Sequence, residues 1–310
     1  MTSGVVPWRE AWQQALYADN GFFRTSRPAE HFRTSVHVQA FAGAIAELVR
    51  RIDPPMVVDL GAGGGELLTA LLPLVSDDVE LVGVEVADCP DDLSPSISWL
   101  PSLPEHVGGL LIANEWLDTI PCDVVEVDDA GVVRELLVDP STGAETLGDP
   151  YDSAWLRDWW PMTEPGQRAE VGDARDAAWA DAVSRVRGMA IAIDYGHTRG
   201  DRPPFGSLRS YAEGRELDVV PDGSRDVTAH VAVDSAAAAA GSTLVRQRDA
   251  LRRLGLDGSR PPLELAHSDP AAYVRGLSAA GEAAELLARG GLGDFWWLVT
   301  DTLGHGTLNP

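Results

Sequence analysis

The run from Asp59 to Glu66, Asp-Leu-Gly-Ala-Gly-Gly-Gly-Glu, carries the most legible chemistry of the chain. Glycines at 61, 63 and 65 remove side chains where backbone must approach a ligand, and a helix beginning at Glu66 turns its free amides toward the same place. A bare strand-to-helix turn would use such glycines too. A dinucleotide fingerprint, G-x-G-x-x-G, needs glycine at 66, where this chain has glutamate. Asp59, two residues before the first glycine, would repel a pyrophosphate, so a cationic, phosphate-free ligand suits the bend better. S-adenosylmethionine has those properties: a sulfonium, an ammonium, and an adenosine whose ribose needs an anchor. Glu85 ends the following apolar run, about where a carboxylate accepts ribose hydroxyls in such folds.

These residues need a sheet to hold them. From Met56 the chain alternates short apolar runs, "MVVDL", "ELVGVEV", "GGLLIANEW" and "MAIAIDYG", with helical stretches, which predicts an α/β fold with a mostly parallel sheet and helices on both faces. Before it, Val38, Phe41, Ile45, Leu48 and Val49 recur at helical spacing until Asp53-Pro54-Pro55 stops the helix. Residues 1–54 thus read as a helical N-terminal cap and 55–200 as a cofactor-binding core. Residues 201–290 read as an accessory or cap segment, and 291–310 as a closing strand, "DFWWLVT", with a tail. Within the core, "DVVEVDDAGVVRELLVD" predicts a hairpin insert turning at Asp129-Ala130-Gly131. Trp155, Trp159 and Trp160 read as packing rather than as a lid.

Composition narrows the function classes. Over 310 residues, 48 acidic side chains face 24 basic ones, giving a formal charge of −24, and every basic residue is arginine. Nucleic acid is disfavoured as a partner, because its affinity comes largely from cations that neutralise phosphates. An acidic surface suits a cationic partner. No secretory signal or membrane-length apolar run is visible, so the chain reads as cytoplasmic and free of the membrane. Cys89 and Cys122 form no CxxC pair and no Cys/His cluster, so no metal site is expected.

Six blocks occur in a telling order: "ALYADNGFF" (15–23), "HFRTSVHVQAF" (31–41), "DLGAGGGEL" (59–67), "IANEWLDTIPCDVVE" (112–126), "IAIDYG" (191–196) and "LRSYAEGRELDVVPDGSRDVTAHV" (208–231). As a set they resemble the MidA-type class I methyltransferases, whose mitochondrial relatives modify an arginine on a respiratory complex I subunit during assembly. The resemblance spans roughly residues 11–254 and implies a Rossmann-like core that takes S-adenosylmethionine. By position it implies that Asp59, Gly61, Ala62, Gly63 and Gly65 line the cofactor and that Glu85 holds the ribose. It also implies that Asn114 and Glu115 end the fourth strand beside the transferable methyl, and that Thr34 and Ser35 approach from the cap. The chain departs from the family pattern at Val36-His37, at Trp116-Leu117 and at Ala232.

Methyl transfer from a sulfonium is an in-line displacement, so its catalysis is chiefly placement of the acceptor. A guanidinium acceptor calls for carboxylates that hold it as a fork. Glu115 and Asp118 are the first candidates and Asp194 the third. Asp118 would otherwise cap local backbone, and Asp194 would serve the turn. His230 is a candidate general base because the D-x-T-A-H-V block is matched. The expected activity is methyl transfer to an arginine of a partner protein. The alternatives are a small-molecule N- or O-methyltransferase, a non-catalytic assembly factor that binds S-adenosylmethionine, and, disfavoured by Asp59 and Glu66, a nicotinamide enzyme.

Overall fold

The computed structural model describes residues 4–25, 34–212, 214–304, 306 and 308. The parts of the cap reading that fall on 1–3 and 26–33, including the start of the block at 31–41, lie outside the described residues.

Among the described residues a seven-stranded sheet forms the centre: β1 (Met56–Leu60), β2 (Glu80–Val84), β3 (Ile97–Leu100), β4 (Val107–Asn114), β5 (Val186–Asp194), β6 (Thr243–Arg246) and β7 (Trp296–Asp301), in the order β6-β7-β5-β4-β1-β2-β3. Strands β1 to β5 pair in parallel, and only β7 runs against its neighbours. The chain leaves β1 toward β2 and β3, then returns to place β4 on the other side of β1. That reversal opens a crevice at the carboxyl ends of β1 and β4, where ligands bind in open α/β sheets.

Both faces of the sheet are covered, which is why its strands read as continuous apolar runs. Val57, Leu110, Ile112, Ile191 and Trp297 face one core, which α2 (Gln39–Ile52) and α3 (Glu66–Leu71) close through Phe41, Ile45, Leu48 and Leu68. Their immediate neighbours Val58, Leu111, Ala113, Ala190 and Leu298 face the other, closed by α4 (Asp173–Ser184) and α5 (Val233–Ala240) through Trp179 and Ala236. Alternation of neighbours between two cores is the two-residue period of a strand.

Segment 201–290, read as accessory, in fact supplies the edge strand β6, the covering helix α5 and α6 (Gln247–Arg253), whose Leu251 enters the first core. Its other parts lie outside the central sheet: Arg209–Ala212, Arg215–Leu217 and Asp226–Thr228 form a three-stranded sheet of their own, and Pro270–Leu287 is an 18-residue helix whose Leu286 enters the first core. The closing strand at 296–301 forms as read, but lies inside the sheet between β5 and β6.

The hairpin at 123–138 forms, with Val127 opposite Val133, and grows into a five-stranded antiparallel sheet of its own with Glu145–Pro150, Arg168–Val171 and Val6–Pro7. The helix Trp8–Tyr17 lays Trp8 and Ala11 against this insert, and Trp12 and Leu16 against Cys122, Val227 and Ala229. The tryptophans at 155–160 pack: the Trp155 indole donates to Asp176 at 2.7 Å and to Ser235 at 2.8 Å.

Arg175, on α4, ties the loop after β4 to the segment before α5. Its side chain is 2% exposed, lies over the Trp12 ring at 5.5 Å, and donates to the carbonyls of Asp118, Ile120, Ala229 and His230 at 2.6 to 3.1 Å. Removing the guanidinium leaves buried carbonyls without donors. Arg175→Met is therefore expected to lower stability by about 3 kcal/mol or more, read as a shift of the urea midpoint; a change below about 1 kcal/mol would show the carbonyls satisfied by other means.

Candidate active site

At the crevice between β1 and β4 the structure encloses a cavity of about 480 Å³. The glycine bend forms its floor. Gly61, Gly63 and Gly65 all adopt left-handed φ, at 75°, 57° and 80°, where side chains are costly. At Gly61 a Cβ would also meet Trp116 Cδ1 at 2.8 Å, so the bend and the segment after β4 pack as closely as backbone allows. The Gly61 and Ala62 amides donate to the Val84 carbonyl at 2.9 and 3.2 Å, tying the bend to the end of β2.

Glu85 stands one residue past β2. Its carboxylate accepts the Gly63 amide at 2.9 Å and the Val86 amide at 2.7 Å, and burial raises its pKa despite those bonds. Asp59, at 4% exposure, is pushed up to about 8 by burial and by the nearby Glu66 and Glu85 carboxylates. Glu66, which the sequence offered only as a helix start, lines the same space and accepts the Gly64 amide at 3.0 Å.

Across the crevice, β4 ends in Asn114 and Glu115. Glu115 has φ of 52°, an unusual conformation for glutamate that marks a site held by its surroundings. Its amide donates to the Ile193 carbonyl at 2.8 Å, and its carboxyl accepts the Asn114 Nδ2 at 3.2 Å. Burial, with Asp118 nearby, pushes it up to about 8. Asn114 Oδ1 is buried and unpartnered within the protein.

Thr34, Asp59, Gly61, Ala62, Gly63, Glu85, Asn114 and Glu115 all line the cavity; Gly65, Ser35, Asp118, Asp194 and His230 do not. Gly65 starts the helix behind the bend, with its Cβ position 2.7 Å from Leu93. Asp194 Oδ2 accepts the Leu117 and Asp118 amides at 3.0 and 3.1 Å and so serves the turn after β4. Asp118 accepts from the Tyr195 hydroxyl and, at 2.6 Å, from Thr228 Oγ1. The fork expected from Glu115 and Asp118 is thus not assembled in the cavity, because Asp118 is spent on buried hydroxyls. His230 is exposed and packs edge-on against Tyr195, with ring centroids 5.2 Å apart.

Glu66 and Glu85 raise Asp59, and Glu66 raises Glu85, yet among the described residues the one arginine in the wall, Arg185, is engaged with Asp181 at 2.7 Å and the Leu103 carbonyl at 3.0 Å. Such a set fits a ligand that brings positive charge, and the free Asn114 Oδ1 fits one that brings donors. A sulfonium and an ammonium supply the first, and ribose hydroxyls reach a carboxylate at the end of β2.

A doubly wound sheet with β7 reversed, a glycine bend after β1, an acid after β2 and a polar pair after β4 define a Rossmann-like, class I methyltransferase. A family model described as "Putative S-adenosyl-L-methionine-dependent methyltransferase" matches residues 40–248, and the chain belongs to that family. It is accordingly an enzyme whose cofactor is S-adenosylmethionine. Among solved structures, a superfamily member from Burkholderia thailandensis crystallised with S-adenosyl-homocysteine is similar at 22% identity and a TM-score of 0.76, over 99% of this chain and 89% of that one. A native crystal structure of an uncharacterized protein of the same superfamily and organism aligns at 24% identity and a TM-score of 0.73, over the same shares. Both likenesses are of fold. No curated protein matches the chain. Among the described residues no helix is long and apolar enough to cross a membrane, and no cluster of three or more His, Cys, Asp or Glu could hold a metal ion.

Two outcomes follow from the acids. Glu85→Ala is expected to weaken S-adenosylmethionine binding by about 1–3 kcal/mol, the scale of lost bonds to a charged group; calorimetry that found wild-type affinity would remove Glu85 from the site. Asp59 and Glu115 bind protons more tightly folded, at about 8, than unfolded, at about 4. Their neutral forms support the fold at low pH, and that support fades as pH rises through 8. The melting temperature of the ligand-free protein should therefore fall from pH 6 to pH 9, less steeply for Asp59→Asn. Parallel pH profiles for the two proteins would contradict this.

Proposed function

We propose that the enzyme methylates a cationic nitrogen, and that the acceptor is an arginine side chain of a partner protein. The observation that carries this reading is Glu115, a strained, enclosed carboxyl in the cavity wall that accepts from Asn114 and, among the described residues, is in no ion pair. When bound, the cofactor supplies an electrophilic methyl on a sulfonium. Glu115 receives an N–H of the acceptor, turns the nitrogen's lone pair toward that methyl, and holds the proton the nitrogen gives up. A carboxyl with a pKa of about 8 is suited to that proton. Its charge is restored by the cationic acceptor, so the neutral residue of the empty site becomes an anion when the acceptor arrives. The formal charge of −24 favours an approach by arginine-bearing segments. The two free cysteines suit a reducing compartment, and we place the reaction in the cytoplasm.

One observation favours a second reading. Val36, His37 and Trp116, three positions at which the chain departs from the pattern it resembles, all line the cavity. A reshaped wall would admit a small basic metabolite instead. Incubating the enzyme with methyl-labelled cofactor and a cell lysate separates the two: label in arginine of a protein supports the first, label in the small-molecule fraction the second. Glu115→Gln is expected to lower turnover by roughly 10²-fold or more, the usual contribution of a general base, while leaving cofactor affinity nearly unchanged. Unchanged turnover would take Glu115 out of the chemistry.

A further inference from the structure

Gln247 is the first residue of α6, far in sequence from the bend, and it is fully buried. A buried amide is costly unless its donors and acceptor are matched. Here they are. The two Nε2 hydrogens go to Ser35 Oγ at 3.0 Å and the Leu292 carbonyl at 2.9 Å, and Oε1 accepts the Trp297 indole N–H at 3.0 Å. Its backbone amide donates to the Phe295 carbonyl at 2.8 Å. Gln247 is thereby fixed by β7 and the turn before it, with one hydrogen left to grip the N-terminal segment.

That segment is one 3-10 turn, Ser35–His37, and its side chains divide. Thr34, Val36 and His37 line the cavity. Ser35 points the other way, with 0% exposure and its hydroxyl on Gln247. The turn is short and has few bonds of its own: the His37 and Val38 amides reach the Thr34 and Ser35 carbonyls at 3.2 and 3.1 Å, and His37 Nδ1 accepts the Thr34 amide at 3.0 Å. Without an anchor it would be a loose flap, since local bonds of this number do not outweigh the entropy of ordering four residues.

We infer that Gln247 is a positioning residue, a latch that holds Ser35 and through it sets the N-terminal wall of the cofactor cavity. It touches neither the cavity nor any reacting atom. The inference rests on the methyltransferase reading of the cavity, but its grip on Ser35 can be tested without turnover.

Ser35→Ala removes only the hydroxyl that Gln247 grips; the bonds of Gln247 to Leu292 and Trp297 stay available, so the fold should survive. Hydrogen exchange of the ligand-free protein is the first readout. Peptides that span Thr34–Phe41 should exchange at least severalfold faster in Ser35→Ala, while peptides from β1 and β5 should be unchanged. Calorimetry is the second: S-adenosylmethionine should bind about tenfold more weakly, a loss on the scale of one hydrogen bond. Gln247→Met should weaken binding similarly, and the double variant little further, because the two side chains form one interaction. A Ser35→Ala protein that melts like the wild type, with wild-type exchange over 34–41 and wild-type affinity, would overturn the latch; so would strictly additive losses in the double variant. Should neither protein nor metabolite be methylated, the acceptor reading would fail while these two readouts still decided the role of Gln247.

Discussion

The site depends on one electrostatic constraint: several carboxyls are drawn into a low-dielectric crevice with no free arginine among them in the described residues. Asp59, Glu85 and Glu115 each sit where a strand of the central sheet ends, and burial raises all three from their ordinary values. An ion pair within the protein would have relieved this, and the sequence had 24 arginines to provide one. Among the described residues, those at hand are used elsewhere. Arg175 holds carbonyls of the loop after β4 and of the segment before α5, and Arg185 faces its own helix and the segment after β3. The unmet charge is what selects a cationic ligand, because such a ligand gains attraction that a neutral or anionic one does not.

Backbone geometry does the rest of the placing. Parallel pairing of β1 with β2 and β4 aligns their carboxyl ends, so the bend, Glu85 and Glu115 converge although they come from three separate stretches of chain. Left-handed glycines then let the bend fold back tightly enough for the Gly63 amide to reach Glu85. On the β4 side the same economy uses Asp194, whose carboxylate gathers two amides of the turn that follows Glu115. A strained glutamate needs such support, since its own conformation would otherwise relax.

What could be read from the residues alone was what local pattern encodes. The bend, the acid after the second apolar run and the polar pair at the end of the third each lie within a few residues of a strand that declares itself by its apolar length. The hairpin at 123–138 carried its own turn signal. Contacts between distant segments carried none. Arg175 reaches Asp118 and Ala229 across more than fifty residues, and Gln247 reaches Ser35 across 212. Nothing in an arginine within "GDARDAAWADA", or a glutamine after a short strand, announces these partners. For Asp118 and Asp194 position was legible but direction was not. Both lie at strand ends near the crevice, yet their carboxyls turn toward hydroxyls and amides of the fold. The thin apolar signal of Thr243–Arg246, four residues at the sheet edge, left 201–290 looking like an appendage.

The central claim is that uncompensated acids in this crevice are matched by the positive charge of the cofactor. It is tested most directly by measuring protons exchanged on binding. Calorimetric titrations near pH 7 in buffers of different ionisation enthalpy would compare S-adenosylmethionine with S-adenosyl-homocysteine, which lacks the sulfonium charge. Binding of the cation is expected to release protons, as Asp59 and its neighbours ionise beside it, and to release more than the neutral thioether does. Equal proton release for both ligands, or none for either, would contradict the account.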